Sequence, residues 1–435
     1  MTRLLLLPLL LLPLFSHAQT YYPPNTGGEW ETVDPESLGW CTEAIPELLS
    51  FLDTNNTKAF LVLKDGRIAI EAYFDSFTQD SLWYWASAGK SLTAFMVGLA
   101  QEDGFLDIDE ATSTYLGEGW TNCTPEQEAA ITVRDQLNMT TGLDDGVADS
   151  DCTDPECLQF LADPGTRWAY HNAPYTLLDG VIANATGTSL NSFLVNELTL
   201  TTGLAGLYLP VGYNNVFFST PRSMARFGLL AMSGGVWNGN VIMEDQDYFN
   251  AMVSPSQTIN PAYGHLWWLN GQQSYMLPGL QLSIPGMIMP NAPPEAFNAM
   301  GKNGQFINVV PSQGLVMVRM GSLPGSSLFV PNFFNDDIWV HLNAVMCMPN
   351  AIDAPAPAPG LTLFPNPAAE VLTLTLPSGA SEGELRIVDT MGRVLLAKQV
   401  RTTTEHIDLR DLAPGSYRCL LTSGNGRVVE GFVKE

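Results

Sequence analysis

Positive charge is scarce in this chain: 19 Lys and Arg stand against 45 Asp and Glu, a formal net charge of −26 over 435 residues. That sign argues against nucleic acid or an anionic membrane as a partner. Long apolar runs are missing as well. The block Leu4–Phe15 is too short to span a bilayer, and no later run reaches the roughly 20 residues a spanning helix needs. No internal repeat is evident. The G-x-S-x-G pattern occurs once, at Gly379–Gly383, in a C-terminal region with no helix after it and with His406 as its one nearby histidine. A Ser-His-Asp hydrolase built on that string is thereby disfavoured.

What is present begins with a leader. Arg3, the apolar block Leu4–Phe15 and Ser16-His17-Ala18 describe a secretory signal peptide over residues 1–18, with a mature start near Gln19. An exported chain with six cysteines permits disulfides. Cys152 and Cys157 are near enough to close a small loop, and Cys41 and Cys347 flank the middle section at its two ends. Connectivity is not fixed by sequence.

Periodicity gives an α+β layout. Residues 42–53 read as an amphipathic helix, and residues 59–74 as a hairpin turning at Lys64-Asp65-Gly66. A helix follows over Leu92–Ala100, stopped at Gly104, then a mixed section with helices at 174–186 and 221–233. Strand texture returns at 265–270, 306–310 and 314–320, and a last helix spans 333–347. The Pro/Ala-rich stretch 349–360 is a linker. The final 75 residues alternate short β-rich runs with turns, as a small β-sandwich does.

Chemistry concentrates at Ser87-Ala88-Gly89-Lys90. The chain has six lysines, and Lys90 alone has a serine three residues before it. A serine hydroxyl is a poor nucleophile until a base stands within hydrogen-bond reach, and one helical turn supplies that reach. An ammonium among Trp83, Trp85 and Phe95 should lose its proton easily, leaving an amine that can take the hydroxyl proton. Tyr170-His171-Asn172, after a Pro-Gly turn and before an apolar helix, offers a second proton carrier in Tyr170 and a substrate-binding amide in Asn172. The same Y-x-N pattern at Tyr213 and Tyr248 lacks that context. Gly301-Lys302-Asn303-Gly304-Gln305 enters a strand, where glycines let substrate approach the backbone. The N–H groups of Ser87 and Gln305 could form an oxyanion hole, with Lys302 as a nearby positive charge. His171 reads as a wall residue, and of Trp267 and Trp268 one should face the site. The acidic loop from Asp144 to Glu156 lacks EF-hand spacing and reads as a solvated loop, with no metal assigned.

The ordered set SAGK, YHN and KNG resembles the serine β-lactamase and penicillin-binding family, closest to its class C-like branch of esterases, D-aminopeptidases and nylon-oligomer hydrolases. TTGL at 140–143, residues 220–239 and YGHLWW at 263–268 resemble that branch too, so the likeness covers roughly residues 40–347. It implies a β-lactamase/transpeptidase-like fold, an antiparallel sheet flanked by helices with a helical insertion. It further implies acylation of Ser87, with Lys90 and Tyr170 sharing the proton work. Asn303 stands where true β-lactamases usually carry Thr or Ser, and no acidic deacylation loop is evident, which favours an esterase, amidase or peptidase. Phe364-Pro365-Asn366-Pro367-Ala368, Gly392 and Leu412-Ala413-Pro414-Gly415 resemble the C-terminal sorting domain of the type IX secretion system.

The expected organisation is a leader at 1–18, a hydrolase domain at 19–348, a linker at 349–360 and a sorting domain at 361–435. The expected activity is cofactor-free hydrolysis of an ester or amide through an acyl-enzyme, outside the cell or at its surface. Catalysis falls to Ser87, Lys90 and Tyr170, and substrate or oxyanion binding to Asn172, Lys302, Asn303, Gly304 and Gln305. The partners are a small-molecule or peptide substrate and the type IX machinery. A β-lactamase or D-Ala-D-Ala carboxypeptidase is the alternative, and a non-catalytic surface binding protein the alternative of another class.

Overall fold

The computed structural model describes residues 19–27, 29–323, 331–348, 362–376, 383–388, 394–413, 415–423 and 426–434. The leader expected at 1–18 and the linker expected at 349–360 lie outside the described residues.

Helix α1 (Ile45–Thr54) leads into the hairpin of β1 (Thr57–Lys64) and β2 (Arg67–Tyr73). Asp65 and Gly66 at its tip both have positive φ, 49° and 81°, the conformation that matches a two-residue turn to strand twist. The short β3 (Trp83–Tyr84) runs into α2 (Gly89–Glu102), which is buried from Gly89 through Ala100. The helix expected at 174–186 is realised as α3 (Asn172–Thr176) and α4 (Leu178–Thr186). Then come β4 (Gly206–Val211), β5 (Asn214–Ser219) and α5 (Pro221–Met232). The strand expected at 265–270 shrinks to β6 (Trp268–Leu269), because Leu266 takes a positive φ of 59° that breaks the extended run. β7 (Phe297–Gly301), β8 (Gln305–Val310), β9 (Leu315–Gly321) and α6 (Asn332–Val345) follow.

Six of these strands form one antiparallel sheet in the order β2-β1-β9-β8-β7-β6. Successive side chains of a strand point to opposite faces, and β8 shows what covers each. Ile307 lies against Gly228 of α5, where an added Cβ would come within 2.9 Å of its Cγ2. Phe306 and Asn308 point the other way, to Phe334 and to a 2.9 Å hydrogen bond from Trp339 Nε1, both of α6. The sheet is therefore sandwiched between α5 and the α1–α6 pair, and β7, β8 and β9 are buried on both faces. Cys41 and Cys347 are disulfide-bonded, as are Cys152 and Cys157. The first bridge joins the start of this section to its closing helix.

The C-terminal strands form two antiparallel sheets. β10 (Thr362–Phe364), β11 (Val371–Thr375) and β14 (Thr404–Asp408) make one; β12 (Gly383–Val388), β13 (Val394–Val400), β15 (Gly415–Ser423) and β16 (Gly426–Lys434) make the other. Leu372, Leu374, Leu385, Ile387, Ile407 and Phe432 share a core of their own.

Candidate active site

Ser87 sits in the single 3-10 turn Ala86–Ala88 that feeds directly into α2. Trp85 fixes this turn: it is fully buried, its N–H bonds to Phe217 O at 2.8 Å and its indole N–H to Ser219 Oγ at 2.7 Å. Ala86 holds a positive φ of 47°, a conformation that costs a non-glycine residue about 1 kcal/mol or more and is found where a tight corner presents a side chain. The end of β7 closes on the same corner. A Cβ on Gly301 would meet Trp85 O at 2.4 Å, Ala88 N at 2.9 Å and Ser87 N at 3.1 Å, so only glycine lets the strand approach so near.

Lys90 projects from the first turn of α2, and its Nζ lies 3.2 Å from Ser87 Oγ in hydrogen-bond contact. It is 4% exposed. Burial lowers its pKa to about 7, against the upward pull of Asp151 and Asp179. The ammonium stands 5.3 Å from the ring centroid of Tyr170 and 4.0 Å from that of Tyr175. Behind it, Thr93 Oγ1 is 3.3 Å from the phenol of Tyr175 and 3.0 Å from that of Tyr208.

Tyr170 stands beside Ser87, whose hydroxyl favours the ionised phenol. Burial pushes its pKa well above the usual phenol range, further than the Ser87 hydroxyl lowers it, so the resting group is the neutral phenol. Its ring stacks on Trp268 at 5.8 Å, whereas Trp267 stacks on Phe227 of α5; of the two tryptophans Trp268 is the one on the site's side. His171 is buried, neither ring nitrogen has a hydrogen-bond partner, and burial lowers its pKa to about 4.

One expectation needs correction. Asn172 was assigned an amide free for a substrate carbonyl, but its Nδ2 donates to Asp151 Oδ1 at 2.7 Å. What remains unpartnered is Asn172 Oδ1, an acceptor. Gln305, expected to lend its backbone N–H to the oxyanion hole, opens β8 opposite Gly301 of β7. Its side chain donates to Gly321 O at 2.6 Å and accepts from Gly321 N at 3.0 Å. The residue of that motif that abuts Ser87 N is Gly301. Lys302 is solvent-exposed in the intervening turn, and Asn303, at φ 64°, donates to the Tyr84 hydroxyl at 2.8 Å. Gly304 donates its N–H to Gly301 O at 3.1 Å, closing the turn.

Residues that sequence reasoning passed over hold this arrangement. The fully buried Arg319 donates to the carbonyls of Asn303, Gly304, Asn55 and Ser322, which ties the turn after Gly301 to the sheet edge. The acidic loop is engaged rather than merely solvated: Asp145 pairs with Arg167 at 2.5 Å, and Asp154 accepts from the Tyr213 hydroxyl at 2.7 Å. Asp179 and Arg319 each carried a signal, a single charge inside an otherwise apolar run.

A serine beside a buried amine, a phenol near the same hydroxyl and a glycine-lined strand end make a constellation able to carry out acyl transfer. Comparison with known proteins agrees with the fold. Solved structures with this fold include a Bacillus anthracis protein assigned as a 6-aminohexanoate-dimer hydrolase (TM-score 0.58, 17% identity, covering 76% of this chain and 91% of that one). A family VIII carboxylesterase is another (TM-score 0.53, 14% identity, 72% and 98%). A protein of Alkalihalophilus pseudofirmus, itself uncharacterized, is 26% identical over 293 residues, 60% of this chain and 78% of its own. Residues 362–435 match the secretion system C-terminal sorting domain, which marks the chain for type IX export to the cell surface or beyond. No helix among the described residues is long and apolar enough to cross a membrane. Residues 56–332 match the beta-lactamase family, and the chain belongs to that family.

Proposed function

We propose that this chain is an exported serine hydrolase that cleaves ester or amide bonds through an acyl-enzyme. Ser87 Oγ attacks the substrate carbonyl while the amine of Lys90 takes its proton. The neutral phenol of Tyr170 carries a proton to the leaving group and is reprotonated through Lys90. The N–H of Ser87, with the turn from Gly301 through Gln305, holds the oxyanion. Water then attacks the acyl carbonyl by the reverse proton path and frees Ser87. The observation that carries this reading is the 3.2 Å contact between Ser87 Oγ and an amine whose burial brings its pKa to about 7, so that about half of it is available as a base at neutral pH.

An ester or amide substrate is favoured over a β-lactam because Asn303 spends its amide on Tyr84 and Lys302 points into solvent. The same two positions are where a β-lactam carboxylate would look for donors. The test is a fluorophosphonate probe with mass spectrometry, alongside a hydrolysis panel of nitrophenyl esters, D-Ala peptides and a chromogenic β-lactam. Labelling should fall on Ser87, and Ser87→Ala should remove both labelling and hydrolysis. A folded Ser87→Ala protein that hydrolyses the panel undiminished refutes the proposal. No labelling and no turnover in the unaltered chain favours the non-catalytic alternative.

A further inference from the structure

Asp179 is a buried carboxylate that the steps above leave unused. It lies four residues after Tyr175. The backbone stays helical between them, with Leu177 N–H bonded to Ala173 O and Val181 N–H to Leu177 O, so Tyr175 and Asp179 lie on one face. Lys90 Nζ stands over the Tyr175 ring on that face. Asp179 Oδ2 accepts from Asn215 Nδ2 of β5 at 2.7 Å, while Oδ1 is buried with no hydrogen-bond partner. A buried acceptor without a donor costs about 1–3 kcal/mol, more for a charged group, so an ionised Asp179 needs a nearby cation. The amine of Lys90 is the cation whose charge acts on it.

We propose that Asp179 is a positioning residue of the acyl-transfer site: clamped by Asn215 on the helix face that Lys90 overlies, its buried carboxylate acts through space as the counter-charge of the ammonium, so the two groups together set the pH at which the amine is free to serve Ser87. The inference rests on the reading of Ser87 and Lys90 given above. Burial is the largest cause for both groups and, with the opposing pull of their neighbours included, it raises Asp179 to about 7 and lowers Lys90 to about 7. Groups that interact at matched pKa titrate in steps that belong to the pair. Other groups face it from every side. Asp151 of the acidic loop acts on Lys90, Tyr170 and Tyr175 present their rings to it, and the Tyr208 phenol of β4 feels Asp179. The three phenols are held neutral by burial and leave Asp151 and Asp179 as the anions that tune the amine.

The test is the rate of Ser87 acylation by a fluorophosphonate probe from about pH 5 to 9 in the full chain, Asp179→Asn and Asn215→Ala. Removing the anion lets Lys90 deprotonate more easily. In Asp179→Asn the acid limb should therefore move down by about one pH unit, a relative gain of about tenfold at low pH. It should also follow a single proton where the unaltered chain follows more than one. Asn215→Ala disfavours the carboxylate and should move the limb the same way by less. A folded Asp179→Asn protein with limb and steepness unchanged overturns the inference. If Asp179→Asn does not fold, an unmoved limb in Asn215→Ala overturns it instead. Failure of the underlying reading looks different: no adduct on Ser87 at any pH.

Discussion

Replacing Lys90 by methionine should abolish acyl transfer and at the same time stabilise the fold. Lys90 is 4% exposed, and burial takes its pKa from the ordinary 10.5 of a lysine to about 7. Each unit of that drop is worth about 1.36 kcal/mol of preference for the unfolded, protonated chain, so at neutral pH the buried lysine costs up to about 4 kcal/mol. Methionine fills a similar length with an apolar chain, at a shape cost below about 1.5 kcal/mol. The net gain is about 2 kcal/mol, a rise in Tm of about 5 °C for a domain of this size. The pH dependence carries the sharper test. Between the folded pKa and 10.5 the unfolded chain binds the proton that the folded chain has released, so the unaltered protein gains stability as pH rises through that window. The advantage of Lys90→Met should then be largest below about pH 7 and shrink toward pH 10. Asp179 reinforces the trend, because without Lys90 its charge above about pH 7 goes uncompensated. Differential scanning calorimetry across pH reads this directly. A Lys90→Met protein with a lower Tm at pH 6, or with a gain that stays constant up to pH 10, would refute the argument.

Other substitutions probe the frame of the site. In Tyr170→Phe the hydroxyl beside Ser87 disappears while ring stacking on Trp268 survives, so kcat should fall by about 100-fold with Tm nearly unchanged, as pre-steady-state hydrolysis would show. Gly301→Ala inserts a methyl 2.4 Å from Trp85 O and 3.1 Å from Ser87 N; acylation should slow at least tenfold, and a variant acylated at the normal rate would disprove the close approach. Arg319→Met strips donors from four backbone carbonyls at once and should destabilise the fold by about 3 kcal/mol or more in urea unfolding. Reducing Cys41–Cys347, which closes a loop of sequence separation 306, should lower the unfolding midpoint by the equivalent of about 2–4 kcal/mol, whereas Cys152–Cys157, at separation 5, should matter less.

How much of this was legible before any coordinates depended on how local the signal was. Ser87 and Lys90 are three residues apart, so their contact follows from local spacing where the 3-10 turn runs into the buried helix α2. Tyr170 needed the Pro-Gly turn and the apolar helix behind it as context, and the fold puts its ring beneath the Lys90 amine and against Trp268. The hairpin at Asp65-Gly66 was equally legible, because its turn residues demand positive φ. The oxyanion side was less legible for a reason of register. The string Gly301–Gln305 contains a strand end, a turn and a strand start, and nothing in the string says which glycine meets Ser87. Only the antiparallel pairing of β7 with β8 puts Gly301 at the corner and turns Gln305 toward Gly321. Asn172 was misread because its partner Asp151 sits 21 positions away, on a loop held by a disulfide and docked through Ala173 N–H to Ser150 O. Asp179 and Arg319 show the missed signal most plainly. A lone charge inside YTLLDGVI or LVMVRMG has no place in an apolar core unless something specific answers it. For Arg319 the answer is four carbonyls that would otherwise be left unsatisfied at the sheet edge. For Asp179 it is one amide from Asn215 and an amine whose charge is itself disfavoured by burial, and that unequal match makes the pair responsive to pH where the arginine is fixed.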